Sequence, residues 1–198
     1  MYKGVVHGEG CKASIIHAAW SLFRDKGFDK TTVDEIIEKA GTAKGTFYHH
    51  FQGKSALLGT LSDLFDDKYH ELEQRLDPQT SVVEQIGWLN VQFFDYIERD
   101  VPVEMLSALL ASQLNPRGDR SLVNQKRYYF AIHRKLVAKG QENGEITKET
   151  SAHDIVRLYA ITERSMLYDW CLYQGSQPLI GEPTRIVAET LKRFVIRQ

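Results

Sequence analysis

Apolar residues recur every three or four positions along most of this chain, which is the spacing that places them on one face of an α-helix. The clearest case is residues 54–76, where charged residues fill the positions between the apolar ones. The apolar set there is Leu57, Leu58, Leu61, Leu64, Phe65, Leu72 and Leu76. No segment shows a convincing two-residue alternation of the kind that marks a half-buried strand. The pattern predicts an all-α protein.

Glycine and proline residues divide the chain into about nine predicted helices. Their ranges are 11–26, 33–40, 44–50, 54–76, 79–99, 102–114, 120–142, 150–174 and 182–197. The Asn143-Gly144 pair could turn a hairpin, but its flanks are charged and helical. We therefore interpret it as a helix end with glycine in the left-handed conformation.

Composition narrows the class of protein. The chain has 198 residues, 42% of them hydrophobic, and a net charge of −1. Its apolar runs are far shorter than a membrane-spanning helix needs, and Met1-Tyr2-Lys3-Gly4 does not resemble a secretion leader. The two cysteines, Cys11 and Cys171, are too far apart to suggest a disulfide framework or a zinc site. These features predict a cytoplasmic protein with no metal and no cofactor.

The small net charge conceals a local excess of positive charge. Residues 39–54 contain Lys39, Lys44 and Lys54 but no acidic residue, and His49 and His50 lie among them. A basic patch on a mildly acidic chain indicates contact with an anion such as phosphate.

Residues 32–51 predict two short helices joined by a tight turn. Thr32 followed by Glu35 has the spacing of a capping box, so the first helix is expected to begin at Val33. Gly41 can adopt the left-handed conformation that ends this helix. Thr42 is predicted to cap the next one.

The second of these helices is expected to expose a small polar face. If Phe47 and Phe51 point into the core, a helical wheel places Gly45, Thr46 and His49 outward, with Tyr48 and His50 at the flanks. Glycine within a helix costs about 1 kcal/mol relative to alanine, so its presence suggests close approach of a partner to the backbone. Lys44 and Lys54 are predicted to contact phosphate. Such a pair of helices is a helix-turn-helix whose second helix enters the major groove of DNA.

The segment 11–58 resembles the DNA-binding region of the TetR family of transcription regulators. The resemblance is carried by Ala18-Ala19, Leu22-Phe23, Gly27-Phe28, Thr31-Thr32-Val33, Ile36, Ala40-Gly41, residues 44–51, Lys54 and Leu57-Leu58. It implies contacts to phosphates or bases by Thr32, Lys44, Thr46, Tyr48, His49, His50 and Lys54, and Thr42 and Gly45 complete the predicted DNA-binding set. The wheel places Lys44 and Tyr48 nearer the core, so for these two residues the assignment comes from the resemblance.

The resemblance also implies that the chain has two domains with different functions. Residues 1–53 would form the DNA-binding domain, and residues 54–198 would form a helical domain that binds a small effector and pairs two subunits. The predicted function is a homodimeric transcription regulator, most simply a repressor that an effector releases from a pseudo-palindromic operator. A ligand-binding helical protein and a protein–protein adaptor without an operator remain the alternatives.

Aromatic residues after position 80 are candidates for an effector pocket, although any single one of them more often belongs to the core. Glu163 stands out because it lies in line with apolar residues, and a carboxylate there needs a partner. That partner could be a cationic ligand, an arginine or the other subunit. The candidate ligand-binding residues are Phe93, Tyr96, Tyr128, Tyr129, Tyr159, Glu163 and Trp170.

The last two predicted helices are apolar over arcs broader than one neighbouring helix can cover, which favours a dimer interface. Its candidate residues are Ile155, Met166, Ile186, Val187, Leu191 and Phe194. Asp66 and His70 are one turn apart, but two ligands on a wet face are more typical of a solvated surface than of a metal site. The sequence contains no serine in a glycine elbow, no phosphate-binding glycine loop and no HExxH motif, so an enzyme is not expected.

Overall fold

The computed structural model describes residues 10–114 and 120–196. Within these ranges the regular structure consists of nine α-helices and one short 3-10 helix, Ser121–Val123. The helices are α1 (Gly10–Lys26), α2 (Val33–Ala40), α3 (Lys44–His50), α4 (Lys54–Glu73), α5 (Val82–Asp100), α6 (Val103–Ser112), α7 (Tyr128–Glu142), α8 (Ala152–Leu172) and α9 (Glu182–Lys192). The all-α prediction is confirmed. No helix of these ranges is long and apolar enough to cross a membrane.

Helix ends that depend on neighbouring residues lie where the sequence places them. The Thr32 hydroxyl accepts a hydrogen bond from the Glu35 amide, and the Glu35 carboxylate accepts one from the Thr32 amide at 2.8 Å. Gly41 then ends α2 with a φ of 64°, and Gly144 follows α7 with a φ of 81°. Both glycines adopt the left-handed conformation, as predicted.

Two predicted ranges are wrong because their ends depend on distant residues. The range 120–142 becomes a 3-10 turn, a loop and then α7, whose first amides bond to the side chain of Asp66 on α4. The range 182–197 ends as a helix at Lys192. Beyond that point the chain pairs with residues 145–147, through Thr147 N–H to Phe194 O at 2.8 Å and Ile196 N–H to Glu145 O at 2.9 Å.

The chain forms two compact units. One contains the described residues of 1–64 and 102–123, and the other contains those of 65–101 and 124–198. These units are defined by compactness alone, so the functional boundary between residues 53 and 54 stays a prediction.

The first unit is built around the helix-turn-helix. Its core joins residues from α1 to α4, and Met105 of α6 packs into the same cluster with 2% of its surface exposed. The other buried members are Ile15, Ile16, Ala18, Ala19, Phe23, Ile36, Phe47, Phe51 and Leu57. Helix α1 thus packs against Ile36, Phe47 and Phe51.

In the second unit α5 packs against α7 and α9, and α8 packs against α7 and α9. Its core is apolar over most of its extent, with residues such as Leu72, Ile86 and Leu89 almost fully buried. Among the described residues, four polar or charged ones lie in the same interior, namely Gln85, Asn90, His133 and Glu163.

Candidate nucleic-acid interface and buried polar cluster

Helix α3 is anchored by a narrow strip of aromatic surface. Phe47 is fully buried, and Phe51, at the C-terminal cap, is 6% exposed. Their ring centroids are 5.9 Å apart. A seven-residue helix held mainly by one of its own side chains leaves most of its circumference uncovered.

The uncovered part of α3 carries the predicted DNA-binding residues. Lys44, Gly45, Tyr48 and His49 are exposed, while Thr46 and His50 are half-buried. Tyr48 exposes 49% of its surface. The helical wheel was therefore wrong to place Lys44 and Tyr48 nearer the core, and their contacts to DNA stay a prediction.

Gly45 has open space around it. A Cβ atom added at this position would meet no atom of the chain within 4 Å, and the backbone does not adopt a positive φ. Nothing within the described chain therefore requires glycine here. The absent side chain leaves the backbone of α3 open to approach from outside.

The cap predicted for α3 is wrong. Ala43 is the N-cap residue and supplies no side-chain hydrogen bond. The Thr42 hydroxyl instead lies 3.3 Å from the Cys11 sulfur of α1. A DNA contact by Thr42 stays a prediction.

The predicted phosphate contacts differ in how accessible their charges are. Lys44 Nζ donates to Asp34 at 2.9 Å, and this bond raises the pKa of Lys44. Both side chains are well exposed, so water screens the pair and leaves it weak. Lys54 Nζ donates to the carbonyl oxygens of Phe28, Asp29 and Thr31. A phosphate contact by Lys54 stays a prediction, and it would have to replace one of these bonds.

The hydroxyl of Thr32 is used within the capping box of α2. Its partner Glu35 also pairs with Lys26 of α1. The bond from Lys26, followed by those from Thr32, lowers the pKa of Glu35 to about 2. The carboxylate thus links α2 to α1.

A buried polar cluster lies among α4, α5, α7 and α8 in the second unit. Glu163 is 3% exposed and accepts hydrogen bonds from Asn90 Nδ2 at 2.7 Å and from the Tyr129 hydroxyl at 2.6 Å. Burial raises the pKa of Glu163, and these bonds partly offset that effect. The Tyr159 hydroxyl lies 3.4 Å from the Ile86 carbonyl oxygen.

His133 and Tyr69 belong to the same cluster. His133 is 1% exposed, and burial lowers its pKa to about 4. Its Nδ1 atom lies 2.7 Å from the Tyr129 carbonyl oxygen. Neither His133 Nε2 nor the Tyr69 hydroxyl has a hydrogen-bond partner among the described residues.

The structure brings together only some of the predicted ligand-binding residues. Phe93, Tyr129, Tyr159 and Glu163 surround this cluster. Tyr128 lies outside this cluster, because its hydroxyl donates a hydrogen bond to Glu73 and its ring stacks on that of His70. Tyr96 is half-buried beside Phe93 and Lys68, and Trp170 donates to the Gln177 carbonyl at 2.9 Å near the end of α8. A ligand role for each of these residues stays a prediction.

Sequence reasoning missed Tyr69, Asn90 and His133. The one local signal was that His133 follows Tyr129 by four residues and precedes the apolar pair Leu136 and Val137. A histidine at that spacing shares the buried face of an amphipathic helix.

The predicted dimer interface needs correction. Ile155, Val187 and Leu191 are 1%, 0% and 2% exposed, so they already belong to the core of the subunit. Met166 and Phe194 are half-buried, and Ile186 is 37% exposed. The apolar surface that remains open runs along α8 through Ile161, Tyr168 and Leu172, which expose 43%, 54% and 62%.

Asp66 does not lie on the solvated surface expected for it and His70, since only 17% of its side chain is exposed. Asp66 instead binds the Arg127 guanidinium and the first amides of α7. Among residues 10–114 and 120–196, no group of three or more histidine, cysteine, aspartate or glutamate residues could hold a metal ion.

A two-helix motif whose second helix is anchored inside and open outside is the reading element of a helix-turn-helix DNA-binding protein. Comparison with known proteins agrees with this class. Residues 15–61 match the model of the tetR family of bacterial regulatory proteins. The uncharacterized HTH-type transcriptional regulator YvdT of Bacillus subtilis is 43% identical over 137 residues, which cover 68% of this chain and 69% of that protein. The chain belongs to the TetR family.

Other relatives extend over more of the chain. The HTH-type transcriptional regulator TtgR of Pseudomonas putida is 25% identical over 183 residues, covering 86% of this chain and 85% of TtgR. The structure of the TetR-family repressor FadR from Thermus thermophilus, in complex with lauroyl-CoA, has a TM-score of 0.77 at 21% identity and covers 94% of this chain and 96% of FadR. The SmeT–triclosan complex has a TM-score of 0.65 at 18% identity, covering 95% of this chain and 93% of SmeT.

These findings fix the general activity. The family consists of DNA-binding transcription regulators that act as dimers on operator DNA and respond to small molecules. The chain is therefore a regulator of this kind and not an enzyme.

Proposed function

We propose that this chain represses transcription by holding the exposed face of α3 in the major groove of a pseudo-palindromic operator. The observation that carries the proposal is the environment of Gly45, which lies on the uncovered side of α3 with no neighbouring atom of the chain. A helix that enters a groove needs such an open face. The neighbouring Lys44, Tyr48 and His49 supply charge, an aromatic ring and hydrogen-bonding groups.

Repression, rather than activation, is supported by two relatives. The transcriptional repressor KstR2 of Mycolicibacterium smegmatis is 34% identical over 85 residues, and FadR of Thermus thermophilus is also a repressor. A repressor requires only that its binding site on DNA overlap with the start of transcription. The protein would act in the cytoplasm, because the DNA that it binds is found there.

The effector is proposed to bind within the second compact unit. Solved relatives hold lauroyl-CoA, stearoyl-CoA and triclosan. In this chain the buried cluster around Glu163 supplies polar groups inside an aromatic interior, which is the usual composition of a small-molecule site. Binding there would release the operator if the effector has a higher affinity for the form that does not fit DNA.

The DNA-binding face is tested by replacing Gly45 with alanine. The substitution removes the conformational cost of a helical glycine and should stabilise the protein by about 0.5–1 kcal/mol. The added methyl group projects from the face proposed to meet DNA, so the affinity for the operator should fall at least tenfold. Fluorescence anisotropy with DNA from the protein's own upstream region, at two salt concentrations, measures the affinity.

Gly87→Ala is the matched control. Gly87 also lies within a helix, α5, and an added Cβ there would meet no atom within 4 Å. This variant should gain similar stability and bind DNA as the parent protein does. Unchanged operator affinity in Gly45→Ala would contradict the contact proposed for this face of α3. No specific DNA binding by the parent protein at low salt would contradict the proposal as a whole and favour an adaptor role.

A further inference from the structure

The tautomer of His133 defines what a partner at the buried cluster must offer. A carbonyl oxygen can only accept a hydrogen bond, so Nδ1, which lies 2.7 Å from the Tyr129 carbonyl, carries the proton. The imidazole is uncharged at neutral pH because burial lowers its pKa to about 4. Nε2 is therefore a lone-pair acceptor, and it is buried without a partner among the described residues.

Two further groups of the same buried cluster also favour a donor. The Glu163 carboxylate accepts bonds from the uncharged groups of Asn90, Tyr129 and Tyr159, which leaves it capacity to accept one more. Arg164, the next residue on α8, acts on Glu163 electrostatically and makes no hydrogen bond to it. The Tyr69 hydroxyl, fully buried and without a partner in the described chain, can donate or accept.

The polar atoms of this cluster are surrounded by planar aromatic rings. The rings of Tyr69 and Phe93 are stacked with centroids 4.7 Å apart. The His133 ring lies 5.4 Å from that of Tyr69, 4.5 Å from that of Tyr129 and 5.2 Å from that of Tyr159. Aromatic walls favour contact with a planar, apolar molecule.

We propose that the effector of this regulator is a planar, lipophilic molecule that buries a hydrogen-bond donor against His133 Nε2, Glu163 and Tyr69. The inference rests on the proposed function and specifies the chemistry of its effector. A hydroxyl or an amine supplies the required donor. A carboxylate does not fit, because it would face a lone pair and a second carboxyl group in a buried site.

A series of naphthalenes that differ in one substituent tests the proposal. Binding to the purified full-length protein without DNA is measured by isothermal titration calorimetry. We expect 2-naphthol and 2-(aminomethyl)naphthalene to bind at least tenfold more tightly than 2-methoxynaphthalene, which has no donor, and 2-naphthoate, which is an anion. Equal binding of the alcohol and its ether overturns the proposal. Preferred binding of 2-naphthoate or lauroyl-CoA also overturns it, as does no binding of either donor at its solubility limit.

Variants locate the donor contact. His133→Phe removes the unpaired acceptor and keeps an aromatic ring, so it should abolish the preference for 2-naphthol over its ether. His17→Phe makes the same change on the exposed face of α1 and should keep that preference. If His133→Phe fails to fold, Tyr69→Phe removes a single oxygen and should weaken 2-naphthol binding while leaving ether binding unchanged. The assignment is overturned by a preference that survives in His133→Phe, or by unchanged 2-naphthol binding in Tyr69→Phe if that variant has to be used.

The outcome is independent of DNA binding. Loss of operator binding with the naphthalene preference intact would reject the proposed repression and leave the effector class standing. Normal operator binding with no preference for 2-naphthol over its ether would reject the effector class and leave the proposed repression standing.

Discussion

At the scale of single residues, the burial of His133 makes the stability of the protein depend on pH. The folded-state pKa is about 4, below the usual value of 6.5 that applies to the unfolded chain. Between these two values the unfolded state binds more protons than the folded state, so stability falls as the pH falls. The loss is fully developed near pH 4 and amounts to about 3 kcal/mol.

Urea unfolding of the parent protein and of His133→Phe, from pH 7 to pH 4, checks this prediction. Glu163, whose raised pKa favours proton uptake by the folded state, contributes in the opposite direction. It is present in both proteins, so their difference isolates His133. The parent protein should lose stability relative to the variant on acidification, and a difference that stays constant with pH would count against a buried neutral imidazole.

The sequence predicted single residues well where one helix determines their environment. Glu163 was singled out because it interrupts an apolar stripe, and the structure buries it. Asn90 and Tyr69 could not be found in this way, because their importance arises only when α4, α5, α7 and α8 meet. Local periodicity indicates that a residue is inside, but not which polar groups it meets there.

At the scale of elements, α7 begins where a side chain of another helix holds it. The two carboxylate oxygens of Asp66 accept bonds from Arg127 Nε at 3.1 Å and Nη2 at 2.8 Å, and from the amides of Tyr128 and Tyr129 at 3.2 Å each. Asp66 and Arg127 expose only 17% and 10% of their side chains. A carboxylate in this position also interacts favourably with the helix dipole.

Asp66→Asn should therefore destabilise the protein by about 2–3 kcal/mol, since the amide group loses the charge and one of the acceptors. Urea unfolding measures the change, and hydrogen exchange at the amides of Tyr128 and Tyr129 should accelerate. Asp67→Asn, at the exposed neighbouring position, is the control and should have little effect. Equal stability of the two variants would show that the start of α7 is fixed by other contacts.

The elements differ in how far the sequence could define them. Helices α2 and α3 have the predicted bounds, because a capping box, a left-handed glycine and adjacent breakers are all local signals. The start of α7 and the end of α9 were predicted wrongly because they depend on distant parts of the sequence. Asp66 bonds to the first amides of α7, and residues 145–147 pair with the chain that follows α9. The exposure of Lys44 and Tyr48 was also missed by the wheel, since a short helix buries a narrower strip than a long one.

At the scale of the whole molecule, we propose that the open apolar stripe on α8 pairs two subunits. Ile161, Tyr168 and Leu172 are spaced to lie on one side of the helix and are all well exposed. The sequence indicated that α8 and α9 were too apolar for one neighbour, but periodicity did not reveal which arc the subunit itself covers. Ile155, Val187 and Leu191 were consequently assigned to the wrong side.

Replacing both Tyr168 and Leu172 with glutamate should convert the dimer to a monomer, because like charges would be buried at the centre of the interface. Light scattering coupled to size-exclusion chromatography measures the mass in solution. The operator affinity should fall at the same time, since one subunit contacts only half of a palindromic site. Ala131→Glu, at an exposed position of α7, should remain dimeric. A double variant that keeps its dimer mass would place the contact elsewhere.

The position of Met105 has a consequence for engineering regulators from this family. This residue of α6 is distant in sequence from the helix-turn-helix, yet it fills a gap in the same core as Ile15, Phe23 and Phe47. A chimera that grafts residues 1–53 onto the remainder of another regulator would set that core against a foreign side chain. A regulator given a new DNA specificity by such an exchange would therefore need α6 transferred together with residues 1–53. Otherwise the residue at position 105 would have to be chosen to fit the grafted core.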